Sequence, residues 1–230
     1  MKKLIVCTLK TLALPVIVYL IFLAVIPERF GNWNCIYTIF LQTIIPTITA
    51  YSVALGNICG VFDFSVGSAQ IISGVTGGLL ASQFGFAGMI LGALCSALLV
   101  TLITGILNSV LKIPSLVLTM GLAMVYEIIG SKLAGHYGFV QIDSKYGIFG
   151  SSPNIVIVFI LMTALFYFLF NHTVFGYNLR AVGSNETVTK TSGVSVNLVK
   201  TKAFVYGGIF IGVSAILTLS QSGSMGAQQS

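Results

Sequence analysis

The chain has 230 residues, 56% of them hydrophobic and only 7% charged, with a mean hydropathy of +1.01. Soluble domains carry about a quarter charged residues, so a water-soluble globular protein is excluded and an all-α, polytopic membrane bundle of about seven transmembrane helices is expected. The net charge of +6, with a pI of about 9.2, fits lysine-rich cytoplasmic loops; no basic run with interleaved aromatics points to nucleic acid.

Lys2 and Lys3 open the chain, and an apolar run from Leu12 to Ile26 follows. Its length, and the lack of a small-residue cleavage site behind it, read as an uncleaved first span over 1–27 rather than a signal peptide. Pro27, Glu28, Arg29 and Gly31 form the first outer loop. A second span is predicted over 35–60, where Pro46, Thr47, Thr49 and Ser52 suggest a kink against protein or a cavity. Next comes Val61-Phe-Asp-Phe-Ser-Val-Gly-Ser68, the entry to a third span reaching Gly78. Asp63 is a lone acid between apolar segments, Ser65 suits a helix cap, and Gly67, Ser68, Ser73, Gly74, Gly77 and Gly78 remove bulk from one face. Such a face allows close helix approach or exposes backbone to a solute; a tight turn with packing glycines is the plainer alternative. The fourth span covers 86–111 with Gly88 and Gly92 spaced for close packing. Lys112, Ile113 and Pro114 make a cytoplasmic turn. The fifth span, 115–133, carries Glu127, for which an ion pair with Lys132 is favoured over a functional role. An outer loop, 134–153, holds His136, Asp143 and Lys145, and the sixth span runs over 154–171.

The interval from Thr173 to Lys202 is the longest polar stretch and holds Arg180, Glu186, Lys190, Lys200 and Lys202. Ser184 or Asn185 is placed to cap a helix, Glu186 to favour its first turn, Lys190 to pair with Glu186 four residues back, and Gly193 to end it. A two-turn surface helix over 185–192 is predicted; spacing alone makes it a solvated connection between spans. A seventh span, 203–220, has Gly208 and Gly212 on one face, and a small polar tail, 221–230, follows.

With the N-terminus inside, Lys2, Lys3, Lys10, Lys112, Arg180, Lys190, Lys200 and Lys202 fall on the cytoplasmic side, and Arg29, Lys132 and Lys145 outside, as the positive-inside rule requires. Cys7, Cys35, Cys59 and Cys95 form no CxxC pair and read as small hydrophobes rather than metal ligands. Neither a Walker A loop nor HExxH or GxSxG occurs, so no catalytic residue, cofactor or metal is expected.

Four stretches resemble the permease subunits of bacterial ATP-binding cassette importers for simple sugars, the ribose, xylose and galactose type. Asp63–Ser68 is similar to that family's D-L-S-V-G-S segment, with Phe64 in place of leucine. Asn108–Gly121 resembles its N-x-x-L-x-x-K-x-x-I-P-S segment, shortened before Lys112. Thr173–Gly193 resembles its T-x-x-G-R-x-x-Y-A-x-G-G-N loop, with Tyr177 where arginine is frequent and Thr187 and Val188 near a usual alanine pair. Ser222–Gln228 resembles the start of the next polar segment.

The resemblance implies one permease domain over 1–230 in the bacterial plasma membrane, lacking about three of ten family helices, with 173–202 as a cytoplasmic coupling loop. It implies a monosaccharide cargo, a second permease as homo- or heterodimer partner, separate cytoplasmic ATPase subunits that carry all hydrolysis, an extracytoplasmic sugar-binding protein and surrounding lipid. Gly183, Asn185, Glu186, Ser192 and Gly193 become the residues expected to contact the ATPase, and Asp63, Ser65, Gly67 and Ser68 those expected to shape the translocation path. Another small polar solute (a branched-chain amino acid, a nucleoside, a furanosyl signal) or an ion-coupled carrier are the competing readings.

Overall fold

The computed structural model describes residues 2–111 and 113–226, with the backbone alone for residues 2–12 and for Arg29. The expected positions of the Lys2, Lys3, Lys10, Cys7 and Arg29 side chains, of Lys112, and of the tail 227–230 with Gln228 lie outside the described residues. The fold is all-α, with two short strands. Contacts divide it into two compact units, Met1–Thr43 and Ile44–Ser230.

The first unit contains α1 (Lys2–Val25), with Pro15 inside it, and α2 (Pro27–Phe30). Proline at the start of α2 costs nothing, because that N–H has no partner within a helix. The Tyr19 hydroxyl donates to Phe30 O at 2.8 Å, and Phe22 stacks on Phe30 at 5.2 Å. The expected outer loop at 27–31 is therefore a single helical turn folded onto α1. Helix α3 (Trp33–Ile58) begins in this unit and continues into the second, with Pro46 inside it.

The second unit holds α4 (Val66–Leu111), α5 (Ser115–Leu133), α6 (Asn154–His172), α7 (Val174–Ser184), α8 (Glu186–Thr191) and α9 (Val196–Ser222). At about 1.5 Å per residue, the 46 residues of α4 would be more than twice as long as a bilayer core is thick. The chain reverses instead at Gly85, whose φ of 66° and ψ of −147° no helix tolerates and only glycine adopts freely. The arms 66–84 and 86–111 pack against each other: a Cβ on Gly77 would lie 3.0 Å from Ala93 Cβ, and one on Gly92 would lie 2.8 Å from Leu80 Cδ1. Thr76 and Ser96 share a hydrogen bond of 2.7 Å across the seam.

Among the described residues, α3, α4, α5, α6 and α9 are long and apolar enough to cross a membrane, and the apolar part of α1, Ala13–Val25, is shorter. Seven segments result only if both arms of α4 and α1 are counted. The third span starts at Val66 rather than Val61. The seventh starts at Val196, about two turns before Ala203, and α7 occupies sequence that reads as polar loop.

The core lies where α9 packs against both arms of α4. Phe210, Ile211, Ala215, Leu217 and Leu219 are fully buried there with Val75, Met89, Ala93 and Ala97. On one side Tyr51 of α3 stacks on Phe166 at 4.6 Å and shares a hydrogen bond of 3.0 Å with Thr163 of α6. One end of the unit is closed by β1 (Phe139–Gln141), antiparallel to β2 (Ser224–Gly226) with Val140 opposite Met225. Ser220 Oγ accepts from Gly150 N at 3.1 Å, and the Tyr146 hydroxyl donates to Ala81 O at 3.1 Å. His136 sits in an exposed 3-10 turn there, as a loop residue. Glu127 is exposed and has no ion pair with Lys132; the ion pairs among the described residues are Lys145–Asp143 and Lys200–Glu186. Cys59 is buried as expected, whereas Cys35 is half-buried and Cys95 exposed.

Candidate translocation and coupling sites

At the end opposite the two strands, α6 turns sharply into α7. Thr173 caps α7 by accepting from Gly176 N at 3.1 Å, and a Cβ on Gly176 would overlap the Phe170 carbonyl. Phe175, Leu179 and Val182 are buried, with Phe175 against the Tyr206 ring at 4.5 Å. This apolar face is why a stretch that reads as loop folds as an amphipathic helix. Gly183 lies at its end, where a Cβ would overlap the carbonyl of Ile58 at the end of α3.

Asn185, not Ser184, then caps α8, accepting from Val188 N at 3.1 Å; the Ser184 hydroxyl donates back to Arg180 O. Ser192 donates to Val188 O at 2.9 Å, and Gly193, at φ 84°, reverses the chain while its N–H bonds Lys190 O. The left-handed glycine stop is as expected. The ion pair is not: Glu186 Oε2 binds Lys200 Nζ at 2.9 Å rather than Lys190. Lys200 projects from the first turns of α9, which approach α8 because the chain doubles back at Gly193. A local four-residue pair thus gives way to a pair that ties two elements together.

The segment Val61–Ser65 is non-helical. It leaves the end of α3 beside α8 and climbs to Val66, which packs with Tyr126 in α5 and with Ile211, about four turns into α9. Irregular backbone at that depth needs internal partners. The hydroxyls of α5 supply them: Phe62 N donates to Ser115 Oγ at 3.2 Å and Phe64 N to Thr119 Oγ1 at 3.1 Å, while Thr119 donates to Phe62 O at 3.3 Å. Asp63 Oδ1 accepts from Ser65 N at 2.8 Å and from Ser65 Oγ at 2.6 Å. Ser65 does stand before the first turn of α4, but its hydroxyl is directed to Asp63. Ser65 is buried and Ser68 half-buried, while Gly67 faces open space: a Cβ there would meet nothing within 4 Å.

A cleft of about 500 Å³ joins these parts. It is lined by Gly60 and Phe62 from the connection between α3 and α4, Asn108 and Ser115 from α4 and α5, and Glu186 and Lys200. Glu186 therefore meets the lower end of the broken segment, while Asp63, Ser65, Gly67 and Ser68 lie outside the cleft lining. Sequence reading misses Ser115, Thr119 and Lys200. The four-residue spacing of Ser115 and Thr119 on one face of an apolar helix is the signal that marks the first two; nothing local marks Lys200.

A broken membrane helix beside a polar, cleft-bearing end is the architecture of a multi-pass membrane transport protein. A family profile described as "Branched-chain amino acid transport system / permease component" matches residues 35–229, and the chain belongs to that family of permeases. Among its relatives, the ribose import permease protein RbsC of Escherichia coli is 25% identical over 224 residues, covering 90% of this chain and 68% of that protein. The galactofuranose transporter permease protein YtfT of Escherichia coli is 27% identical over 164 residues, covering 69% of this chain and 48% of its own length. The autoinducer 2 import system permease protein LsrC of Yersinia pseudotuberculosis is 27% identical over 220 residues, covering 93% and 62%. The chain thus spans from about half to two thirds of these relatives. No solved structure matches it.

Proposed function

We propose that this chain is the membrane permease of an ATP-driven importer for a monosaccharide or a related furanosyl compound. The observation that carries this reading is the family match over 35–229, together with relatives named for ribose, galactofuranose and autoinducer 2. The permease works as one domain and as half of a homo- or heterodimer. Separate ATPase subunits hydrolyse ATP in the cytoplasm, and an extracytoplasmic binding protein delivers the solute. The N-terminus and the end bearing α8 face the cytoplasm. Arg180, Lys190, Lys200 and Lys202 support this orientation by the positive-inside rule.

In this reading α8 seats in a groove of the ATPase. Gly183, Asn185, Glu186, Ser192 and Gly193 hold or present it: Gly183 by close approach to α3, Asn185 and Ser192 by capping, Gly193 by its reversal, and Glu186 by its tie to α9. A short rigid element fixed at both ends transmits a rigid-body shift. Asp63, Ser65, Gly67 and Ser68 shape the path at the break between α3 and α4. The chain itself carries no hydrolytic role. A branched-chain amino acid cargo is the second reading, favoured by the description of the family.

The test is uptake in proteoliposomes containing the chain, its ATPase and its binding protein. Sugar uptake is expected to require ATP. Gly193→Val, which strains the φ of 84°, is expected to lower uptake at least tenfold with membrane insertion unchanged. A cysteine at exposed Thr187 should react with an impermeant thiol reagent from the ATPase side alone. Uptake that ignores nucleotide, or labelling from the opposite face, overturns the reading.

A further inference from the structure

A second cleft, of about 740 Å³, opens between α3, α4 and α9. Its α3 wall is Pro46, Thr49, Ala50, Val53, Ala54 and Asn57, which recur every three or four residues and so form one stripe of the helix. Gln70 of α4 and Thr218 of α9 face that stripe. The volume lies in the range of about 300–1,000 Å³ common to small-molecule pockets.

Its chemistry is selective. The lining includes no Asp, Glu, Lys, Arg or His, so the occupant it suits is neutral. The polar groups are carboxamides and hydroxyls, which both donate and accept. Gln70 Nε2 donates to Thr218 Oγ1 at 2.9 Å, and Thr218 donates to Ser214 O at 2.8 Å. This chain fixes the Gln70 amide and leaves its Oε1 and second N–H for another partner. Asn57 is exposed, and none of its side-chain polar atoms has a partner among the described residues. A lipid tail in the cleft would leave these amides unpaired in hydrocarbon, an expensive arrangement. The stripe rises about 16 Å from Pro46 to Asn57, with Gln70 and Thr218 toward its Pro46 end; a hydroxyl-bearing ring would satisfy the two ends in turn and rest its C–H faces on Pro46 and Val53.

We propose that this cleft is a solute-contact groove inside the membrane for a neutral polyhydroxylated ring, with Gln70 and Thr218 as its hydrogen-bonding groups at one end, Asn57 at the other and Thr49 as a further acceptor between them. The proposal rests on the permease reading and adds the residues that recognise the cargo. They differ from Asp63, Ser65, Gly67 and Ser68, which shape the break in the helix.

The full chain with its ATPase and binding protein, with all four native cysteines replaced by serine, is given a single cysteine by Ala50→Cys. The reference is Ile160→Cys on α6, a residue 60% exposed on an apolar helix. A charged, impermeant methanethiosulfonate is expected to modify the Ala50 position at least fivefold faster than the Ile160 position. D-ribose or D-galactose in excess is expected to slow it at least threefold, and leucine is not. Asn57→Leu and Gln70→Leu are each expected to raise the half-saturating sugar concentration of uptake at least fivefold, with nucleotide hydrolysis within twofold of the parent. Equal labelling at the two positions, or no protection by either sugar, overturns the proposal, and protection by leucine alone overturns its solute class. Absence of any nucleotide-driven uptake in the parent would instead sink the permease reading; intact uptake with an unreactive or unprotected cleft sinks this inference alone.

Discussion

Helices α6 and α9 have nearly the same hydropathy, yet 72% of the apolar stretch of α9 is buried against 11% of that of α6. Apolarity makes both membrane-compatible and does not decide which one becomes the core. Inside a bilayer there is no hydrophobic drive to bring helices together, so association depends on close packing and interhelical hydrogen bonds. Helix α9 carries Gly207, Gly208, Gly212 and Ser214, and α6 has no glycine over Asn154–His172. At Gly208 a Cβ would overlap Thr101 Oγ1, and at Gly212 it would lie 2.9 Å from Leu94 Cδ2. The sharpest way to break the comparison is to add bulk on each helix. Gly208→Leu is expected to cost about 3 kcal/mol or more by overpacking, seen as a large fall in thermal midpoint and folded yield in detergent. Ile160→Phe on α6, which adds bulk at a 60% exposed position, should stay within about 0.5 kcal/mol. Equal effects would mean that α9 is no more central than α6.

The same contrast extends to polar groups. The hydroxyls of α5 hold the non-helical segment that leads into the arm of α4 packed on α9. Thr119 is fully buried and serves both Phe64 N and Phe62 O. Thr119→Val keeps the shape and removes both bonds, and a buried N–H left unpaired costs about 1–3 kcal/mol. Ser115→Ala, which removes a single and more exposed bond, should cost less. Thermal unfolding of the two variants orders them; a larger loss at Ser115 would mean that the segment hangs from its lower end instead.

How much of this is legible in the residues follows from the range of the interactions. Spans α5 and α6 are readable because hydropathy is local, as is the small α8 with Asn185 at its start and Gly193 after its end. Capping and left-handed reversal are set within a few residues. The all-α, multi-pass class follows from composition. Helix α7 stays hidden because its apolar face, Phe175, Leu179 and Val182, is diluted by Arg180 and polar neighbours until Tyr206 is there to cover it. The reversal at Gly85 falls at an expected boundary between spans, but the break at Val61–Ser65 reads as the start of a helix. The hydroxyls that make irregular backbone tolerable there come from α5, more than fifty residues away. The Glu186 partner escapes for the same reason: a helix-spacing rule sees Lys190, whereas the fold brings Lys200.

That long-range pair gives the finest test of the coupling proposed for α8. Helix α8 is bound to α9 by Glu186–Lys200, while α7 is bound to α6 by Arg180, whose guanidinium lies over the Phe170 ring at 4.9 Å. With the Glu186 side chain 57% exposed and that of Lys200 20% exposed, water screens the pair, and its loss should cost under about 1 kcal/mol. Lys200→Met is therefore expected to leave the thermal midpoint within about 3 °C, yet to lower solute moved per ATP hydrolysed at least threefold, because α8 then moves without drawing α9. Arg180→Met should change that ratio less than twofold. The exchange Glu186→Lys with Lys200→Glu restores the tie in reverse and should recover most of the ratio, which a lysine needed only for ATPase attraction would not allow. If Arg180→Met uncouples and Lys200→Met does not, force enters through the peripheral helix, and the burial of α9 serves packing alone.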